Sequence, residues 1–145
     1  MHDFNETKLL PYTVKQLYSI VIDVEKYPEF LPWCIGSTVI KKRDINNFDA
    51  KLKVGYKAID EEYISRVSGD YLKEISSNAI SGPFKLLESK WKFNKVNDFC
   101  EVEFSIRYEF KSFLLGKIMG ALFKKASEKM FQAFQDRAKN LYNWF

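Results

Sequence analysis

The sequence predicts an α+β fold in which a curved antiparallel sheet wraps around one long C-terminal helix. Three observations carry this. From residue 35 to 111, apolar and polar residues alternate in strand-length runs separated by Gly, Pro, Asn and Asp. From Ser112 onward the apolar spacing changes to three and four, the period of a helix. Strands followed by a helix, rather than alternating with helices, favour α+β over a parallel α/β sheet. The 145 residues have the length of one domain, 1–145, enough to bury a sizeable core.

His2 to Leu10 reads as an opening strand, with Phe4 and Leu9 available to a core, and Pro11 closes it. Thr13 is a good N-cap and Gln16 follows three residues on, as in a capping box. Val14, Leu17, Tyr18 and Val21 then mark one face of a helix to about Asp23. A second short helix fits Val24 to Phe30 before Pro32 ends it. Ile35 to Arg43 is the next strand, and Asp44-Ile45-Asn46-Asn47 supplies a turn. In Ala50 to Ala58, Leu52, Val54, Tyr56 and Ala58 share one face, while Lys51, Lys53 and Lys57 face water. The acidic run Asp60-Glu61-Glu62 reads as a solvated turn, and Glu61 to Ser68 as a short, mixed strand. Ser68-Gly69-Asp70 is a turn signal, and Tyr71 to Ile80 a polar, edge-like strand.

Ser81-Gly82-Pro83 turns the chain into Lys85 to Lys95, where Leu87, Ser89, Trp91 and Phe93 lie together. Asn97-Asp98 leads to the clearest strand, Phe99 to Lys111. There Cys100, Val102, Phe104, Ile106, Tyr108 and Phe110 oppose Glu101, Glu103, Ser105, Arg107 and Glu109. The closing helix carries Leu115, Met119, Leu122, Ala126, Met130, Ala133 and Leu141 as its apolar stripe. About 30 residues would span roughly 45 Å, a length that suits a helix lying across a curved sheet. Gly116 and Gly120 near its start leave room for a kink or a close approach.

Apolar residues make up 46% of the chain, so it is globular rather than disordered. Aromatics at 17% point to an interior built around something, or to a wide sheet surface to fill. The formal charge of +4 is carried wholly by residues 112–145; the rest of the chain balances. A basic segment of this kind either attracts phosphate, in lipid headgroups or RNA, or is a solvated helix face. Cys34 and Cys100 stand far apart with no CxxC, which reads as two buried thiols in a reducing compartment. No signal peptide and no span of about 20 apolar residues is evident, so a cytoplasmic protein is expected, with any membrane contact peripheral at the inner membrane.

Candidates for catalysis are few. His2 is the only histidine and reads as fraying in solvent, so there is no Ser–His or Cys–His pair. No residues have metal-ligand spacing and no Gly-rich loop cradles phosphate. The facing of Glu74 and Glu88 is undecided by alternation, and Arg66 and Arg107 point outward. Ser65, Ser77 and Ser89 sit on strands beside apolar neighbours. Each buried hydroxyl either bonds backbone or a trapped water, or offers a polar tip to a ligand.

The segment from Val24 to Cys34 packs Pro28 and Pro32 with Tyr27, Phe30, Leu31 and Trp33. Two prolines four apart hold an irregular elbow. It plugs one end of a barrel or forms the wall of an apolar pocket. Met119, Met130, Ala126 and Ala133 on the helix would leave adaptable or empty volume, which fits a pocket.

The run Tyr27-Pro28-Glu29-Phe30-Leu31-Pro32-Trp33-Cys34 resembles the signature of the coenzyme Q-binding START-domain family, a helix-grip group with RatA-like and polyketide cyclase-like members. The likeness extends over nearly the whole chain. It implies a START/Bet v-like helix-grip fold and a single lipid-binding domain. It implies a polyprenyl quinone, ubiquinone first, as ligand, chaperoned or delivered for respiratory electron transport or quinone biosynthesis, with no covalent cofactor, no metal and no catalytic residue. The expected ligand contacts are Tyr27, Pro28, Phe30, Leu31 and Trp33 at the elbow. Leu52, Val54, Tyr56, Trp91, Phe104, Ile106, Met119, Leu122, Ala126 and Met130 are the expected walls. Lys117, Lys124 and Lys125 are the expected contacts to membrane or RNA. Two further functions come with the family. One is a RatA-like ribosome-association toxin acting on the large ribosomal subunit. The other is a polyketide cyclase-like enzyme, against which the shortage of histidine weighs.

Overall fold

The computed structural model describes residues 2–56 and 59–142. Seven antiparallel strands form one sheet: β1 (His2–Leu10), β2 (Cys34–Asp44), β3 (Asn47–Tyr56), β4 (Ile59–Asp70), β5 (Glu74–Ser81), β6 (Phe84–Val96) and β7 (Phe99–Phe110). Their order across the sheet is β1-β7-β6-β5-β4-β3-β2. Helix α1 (Val14–Ile22) and a 3₁₀ turn (Val24–Glu29) link β1 to β2, and α2 (Phe113–Tyr142) closes the chain as one continuous 30-residue helix. The sheet and α2 form the expected helix-grip.

Local chemistry accounts for the boundaries. The capping box at α1 is complete: the Gln16 amide donates to Thr13 Oγ1 at 3.1 Å, and the Thr13 amide donates to Gln16 Oε1 at 2.9 Å. Leu17, Tyr18, Ile20 and Val21 are the buried face of α1. Gly82, at φ +108°, makes the turn between β5 and β6, where a side chain would collide with Tyr63 and the Glu62 carbonyl. Strand β2 carries three irregularities in its pairing with β3, which bend this edge of the sheet.

Several expectations are corrected. Gly69 is not a turn residue. β4 runs on to Asp70, and the turn is Tyr71–Lys73, with Leu72 in the left-handed region at φ 65°. Gly69 answers a packing need instead. Its amide donates to the Asn46 carbonyl at 2.7 Å, and a Cβ there would collide with the Tyr18 hydroxyl. β5 is central rather than an edge; β1 and β2 are the edges. Asp60, Glu61 and Glu62 lie in β4, not in a turn, and the Glu62 carboxylate pairs with Lys51 at 3.7 Å and Lys53 at 3.6 Å. His2 is paired in β1 opposite Tyr108, with the two rings stacked at 5.1 Å. Leu141 is exposed, while Phe131, Phe134 and Ala138, outside the expected stripe, are buried. A Cβ on Gly116 would meet Phe110 only at ordinary contact distance, and one on Gly120 would meet nothing within 4 Å, so neither glycine serves a close approach. Lys57 and Ala58 lie outside the described residues.

Candidate functional site

The 3₁₀ turn and the residues after it form the elbow. Pro28 lies inside the turn and is exposed; Phe30 and Leu31 donate their amides to the Tyr27 carbonyl at 3.1 and 2.9 Å. The Cys34 amide donates to the Leu31 carbonyl at 3.0 Å, and Gly55 of β3 donates to the Trp33 carbonyl at 3.0 Å. These bonds tie the elbow to the sheet and hold its rings over the interior. The Tyr27 hydroxyl donates to the Val21 carbonyl. The rings of Tyr27, Phe30 and Phe134 meet edge to face at 5.1 to 5.8 Å. Trp91 continues this wall, 4.8 Å from Phe134 and 4.5 Å from Phe104. A second aromatic group, Tyr63, Phe84, Phe110 and Phe123, packs at 4.9 to 5.7 Å.

Between these walls lies a cavity of about 110 Å³. A single water needs about 10–15 Å³, so the interior is hollow there rather than close-packed. Tyr27, Leu31 and Trp33 of the elbow face it, as do Leu52 and Val54 of β3, Trp91 of β6, Phe104 and Ile106 of β7, and Ala126 and Met130 of α2. Pro28, Phe30, Met119 and Leu122 do not line it. Phe30 backs Tyr27 and Phe134, Met119 is buried in the core, and Leu122 is half-buried. The side chain of Tyr56 lies outside the described set. Lys117, Lys124 and Lys125 are exposed, and the Lys117 ammonium sits 5.0 Å from the Phe113 ring centroid.

Alternation alone does not assign several of the lining residues. Tyr63 and Val67 flank Ser65 on β4, and Ile75 and Ala79 flank Ser77 on β5; Leu87 and Ser89 of β6 line the cavity in the row that alternation gives. Phe123, Ser127 and Phe134 of α2 complete the wall. Their spacing of four and seven is the available signal, one stripe beside the stripe the sequence suggests.

The electrostatics are uniform. Among the described residues, no Asp, Glu, Lys, Arg or His lines the cavity. Burial pushes the Tyr27 and Tyr63 hydroxyls and the Cys34 thiol up, so all three are neutral near pH 7. Glu74 and Glu88 face outward, toward Lys90 at 3.7 Å and Arg107 at 3.8 Å. Beside the Tyr27 and Tyr63 hydroxyls, four serines line it: Ser65, Ser77, Ser89 and Ser127. Ser77 and Ser89 bond each other at 2.6 Å, and Ser127 donates to the Phe123 carbonyl at 2.8 Å. No group of three His, Cys, Asp or Glu able to hold a metal occurs among the described residues. No helix among them is long and apolar enough to cross a membrane.

A sheet curled around a helix, with an apolar chamber between them, defines a START-like helix-grip protein. The chain belongs to the family described as polyketide cyclase/dehydrase and lipid transport, which matches residues 10–135. It is similar to the ribosome association toxin RatA of Rickettsia prowazekii, at 39% identity over 97% of this chain and 99% of that protein. It is also similar to the mitochondrial coenzyme Q-binding protein COQ10 of Dictyostelium discoideum, at 37% identity over 94% of this chain and 68% of that protein. A START superfamily protein from Mycobacterium smegmatis shares the fold, with a TM-score of 0.82 at 20% identity over 97% of this chain and 99% of that one.

Proposed function

We propose that this protein binds a polyprenyl quinone, ubiquinone first, in the cavity between sheet and α2, and holds or delivers it for respiratory electron transport or quinone biosynthesis. The observation that carries the reading is a hollow, aromatic-walled chamber with hydroxyls and no charged side chain among its described lining residues. An uncharged ring with carbonyl acceptors and an isoprenoid tail matches that chemistry. Burying one isoprene contributes up to about 4 kcal/mol, at about 0.8 kcal/mol per CH₂-sized group, less the cost of ordering. The chamber suits the ring or the first isoprenes, and a longer tail would extend beyond it. Tyr27, Leu31, Trp33 and Trp91 are the proposed ligand contacts, and Pro28 and Phe30 stiffen the elbow behind them.

Delivery requires contact with a membrane. The first turns of α2 expose Phe113, Leu114 and Ile118 beside Lys117. Apolar side chains entering the headgroup region, with Lys117, Lys124 and Lys125 against anionic lipid, give peripheral attachment worth about 1 kcal/mol per lysine.

Gently purified protein is expected to release a quinone on organic extraction, and added short-chain quinone to quench the emission of Trp33 and Trp91. Absence of both removes the reading.

The full-length similarity to relatives named ribosome association toxins supports a second reading. In it, the basic face of α2 meets the large ribosomal subunit. Co-sedimentation with that subunit at low salt, weakening as salt rises, is then expected; no co-sedimentation at either salt rejects it.

A further inference from the structure

The hydroxyls of the cavity are ordered across the sheet. Ser77 of β5 lies directly opposite Ser89 of β6. Ser65 of β4 pairs with Ala79 while Ser77 pairs with Val67, so Ser65 and Ser77 are diagonal neighbours. Each hydroxyl has one hydrogen to donate. The Ser77–Ser89 bond uses one of that pair's two hydrogens and leaves the other. Ser127 spends its own on the Phe123 carbonyl. Ser65 is only 6% exposed and lines the cavity, and its hydroxyl makes no hydrogen bond among the described residues. A buried hydroxyl left unpaired is unfavourable, and buried polar groups in folded proteins nearly always find a partner. Two hydrogens of the serine row are therefore left without a protein acceptor at the cavity wall, with no described charged side chain beside them.

We propose that Ser65, together with the Ser77–Ser89 pair, is a subsite for the uncharged, hydrogen-bond-accepting head of an apolar ligand, a carbonyl above all. This rests on the reading of the cavity as a prenyl-quinone site and adds what selects the head. A carbonyl oxygen has two lone pairs and takes the Ser65 hydrogen directly. A carboxylate or phosphate on the same tail would be stripped of water and meet no cation, so the chamber discriminates against acidic lipids. The small side chains of the row also leave space for a ring where larger residues would fill it.

The test uses the full chain, its Ser65→Ala and Ser65→Cys variants, and calorimetric titration at pH 7.5. Four probes share a two-isoprene tail: a benzoquinone, a methyl ketone, a carboxylic acid and the headless hydrocarbon. The quinone and ketone are expected to bind at least about tenfold more tightly than the acid. Ser65→Ala is expected to weaken both by about threefold to tenfold, the loss of one hydrogen bond, and to leave the hydrocarbon unchanged. Ser65→Cys, a weak donor of similar size, should fall between. Thermal melting of each variant checks that the fold is kept. An acid that binds as well as the ketone overturns the proposal, as does an unchanged ketone affinity in Ser65→Ala. A Ser65-dependent ketone without quinone binding ends the quinone reading and supports the subsite. Failure of every probe overturns both.

Discussion

Arg137 of α2 reaches Glu29 of the elbow across 108 positions of sequence, with Nη2 and Oε1 at 3.0 Å. The same guanidinium lies over the Phe30 ring, 5.0 Å from its centroid. One side chain thus ties the last third of the long helix to the Pro-stiffened turn, and both elements contribute cavity walls. The Arg137 hydrogen bond is the main cause that holds the Glu29 carboxyl below its ordinary value, against an opposing desolvation, with the charge of Lys26 helping.

Replacing Arg137 with Ala is therefore expected to loosen the elbow rather than unfold the protein. Amide exchange at Phe30, Leu31 and Cys34, whose hydrogen bonds define the turn, should quicken. A folded-state carboxyl held low contributes stability that is present above its unfolded value, 4.5, and is lost as pH falls through the folded value. The difference between wild type and variant should shrink below that point. Exchange rates at the elbow unchanged by the substitution at pH 7 would contradict the latch.

On the outer face of the sheet, Asp49 is buried beneath two arginines. Arg66 donates to it at 3.1 and 3.3 Å, and Arg43 at 3.1 and 3.2 Å. Those hydrogen bonds, Arg66 first, bring its carboxyl from 3.8 down to about 2. The pair stability is complete above pH 3.8 and is lost as the pH falls toward 2. Asp49→Asn should cost about 1–3 kcal/mol at pH 7 in urea unfolding, with solvent around the arginines pulling the figure down. It should also flatten acid unfolding between pH 4 and 2. An unaltered acid limb would show that other carboxylates govern it.

Phe134 sits where α2 meets the elbow, touching the rings of Tyr27, Phe30 and Trp91. Phe134→Ala should destabilise by about 3–5 kcal/mol, shifting the urea midpoint with little change in slope. Phe113 is 81% exposed, and its replacement by Ala should stay within about 0.5 kcal/mol. Equal effects at the two positions would mean that the helix docks otherwise.

Sequence legibility follows the contrast between the two faces of each element. β7 alternates large apolar residues with charged or polar ones, so its inward row is plain from the residues alone. β5 reads as an edge because its inward row is Ile75, Ser77 and Ala79. Small and polar residues face a void there, and they look like residues facing water. Gly69 carries a turn signal that its close approach to Tyr18 explains instead. On α2 a period near 3.6 permits neighbouring stripes, and only the seated helix shows that Phe123, Phe131 and Phe134 turn inward. The Arg43–Asp49–Arg66 group depends on cross-strand register, which no single strand reveals. Of the five elbow residues that the sequence singles out, Tyr27, Leu31 and Trp33 face the cavity, while Pro28 and Phe30 lie behind them.

The hollow interior itself can be tested by filling it. Ala126 lies on the cavity side of α2, 6% exposed, with open volume rather than packed atoms in front of it. In a close-packed core, a phenyl ring added there would cost about 1–3 kcal/mol through strain. Into a void it adds dispersion contacts and removes unfilled space, so Ala126→Phe should hold or raise the melting temperature. The same ring occupies space proposed for ligand, so affinity for a short-chain quinone should drop at least about tenfold, the equivalent of about 1.4 kcal/mol of lost burial. Stability and binding thus move in opposite directions, which a merely damaged protein would not do. A variant that melts several degrees lower would mean that the chamber closes in solution. One that keeps its quinone affinity would place the ligand elsewhere.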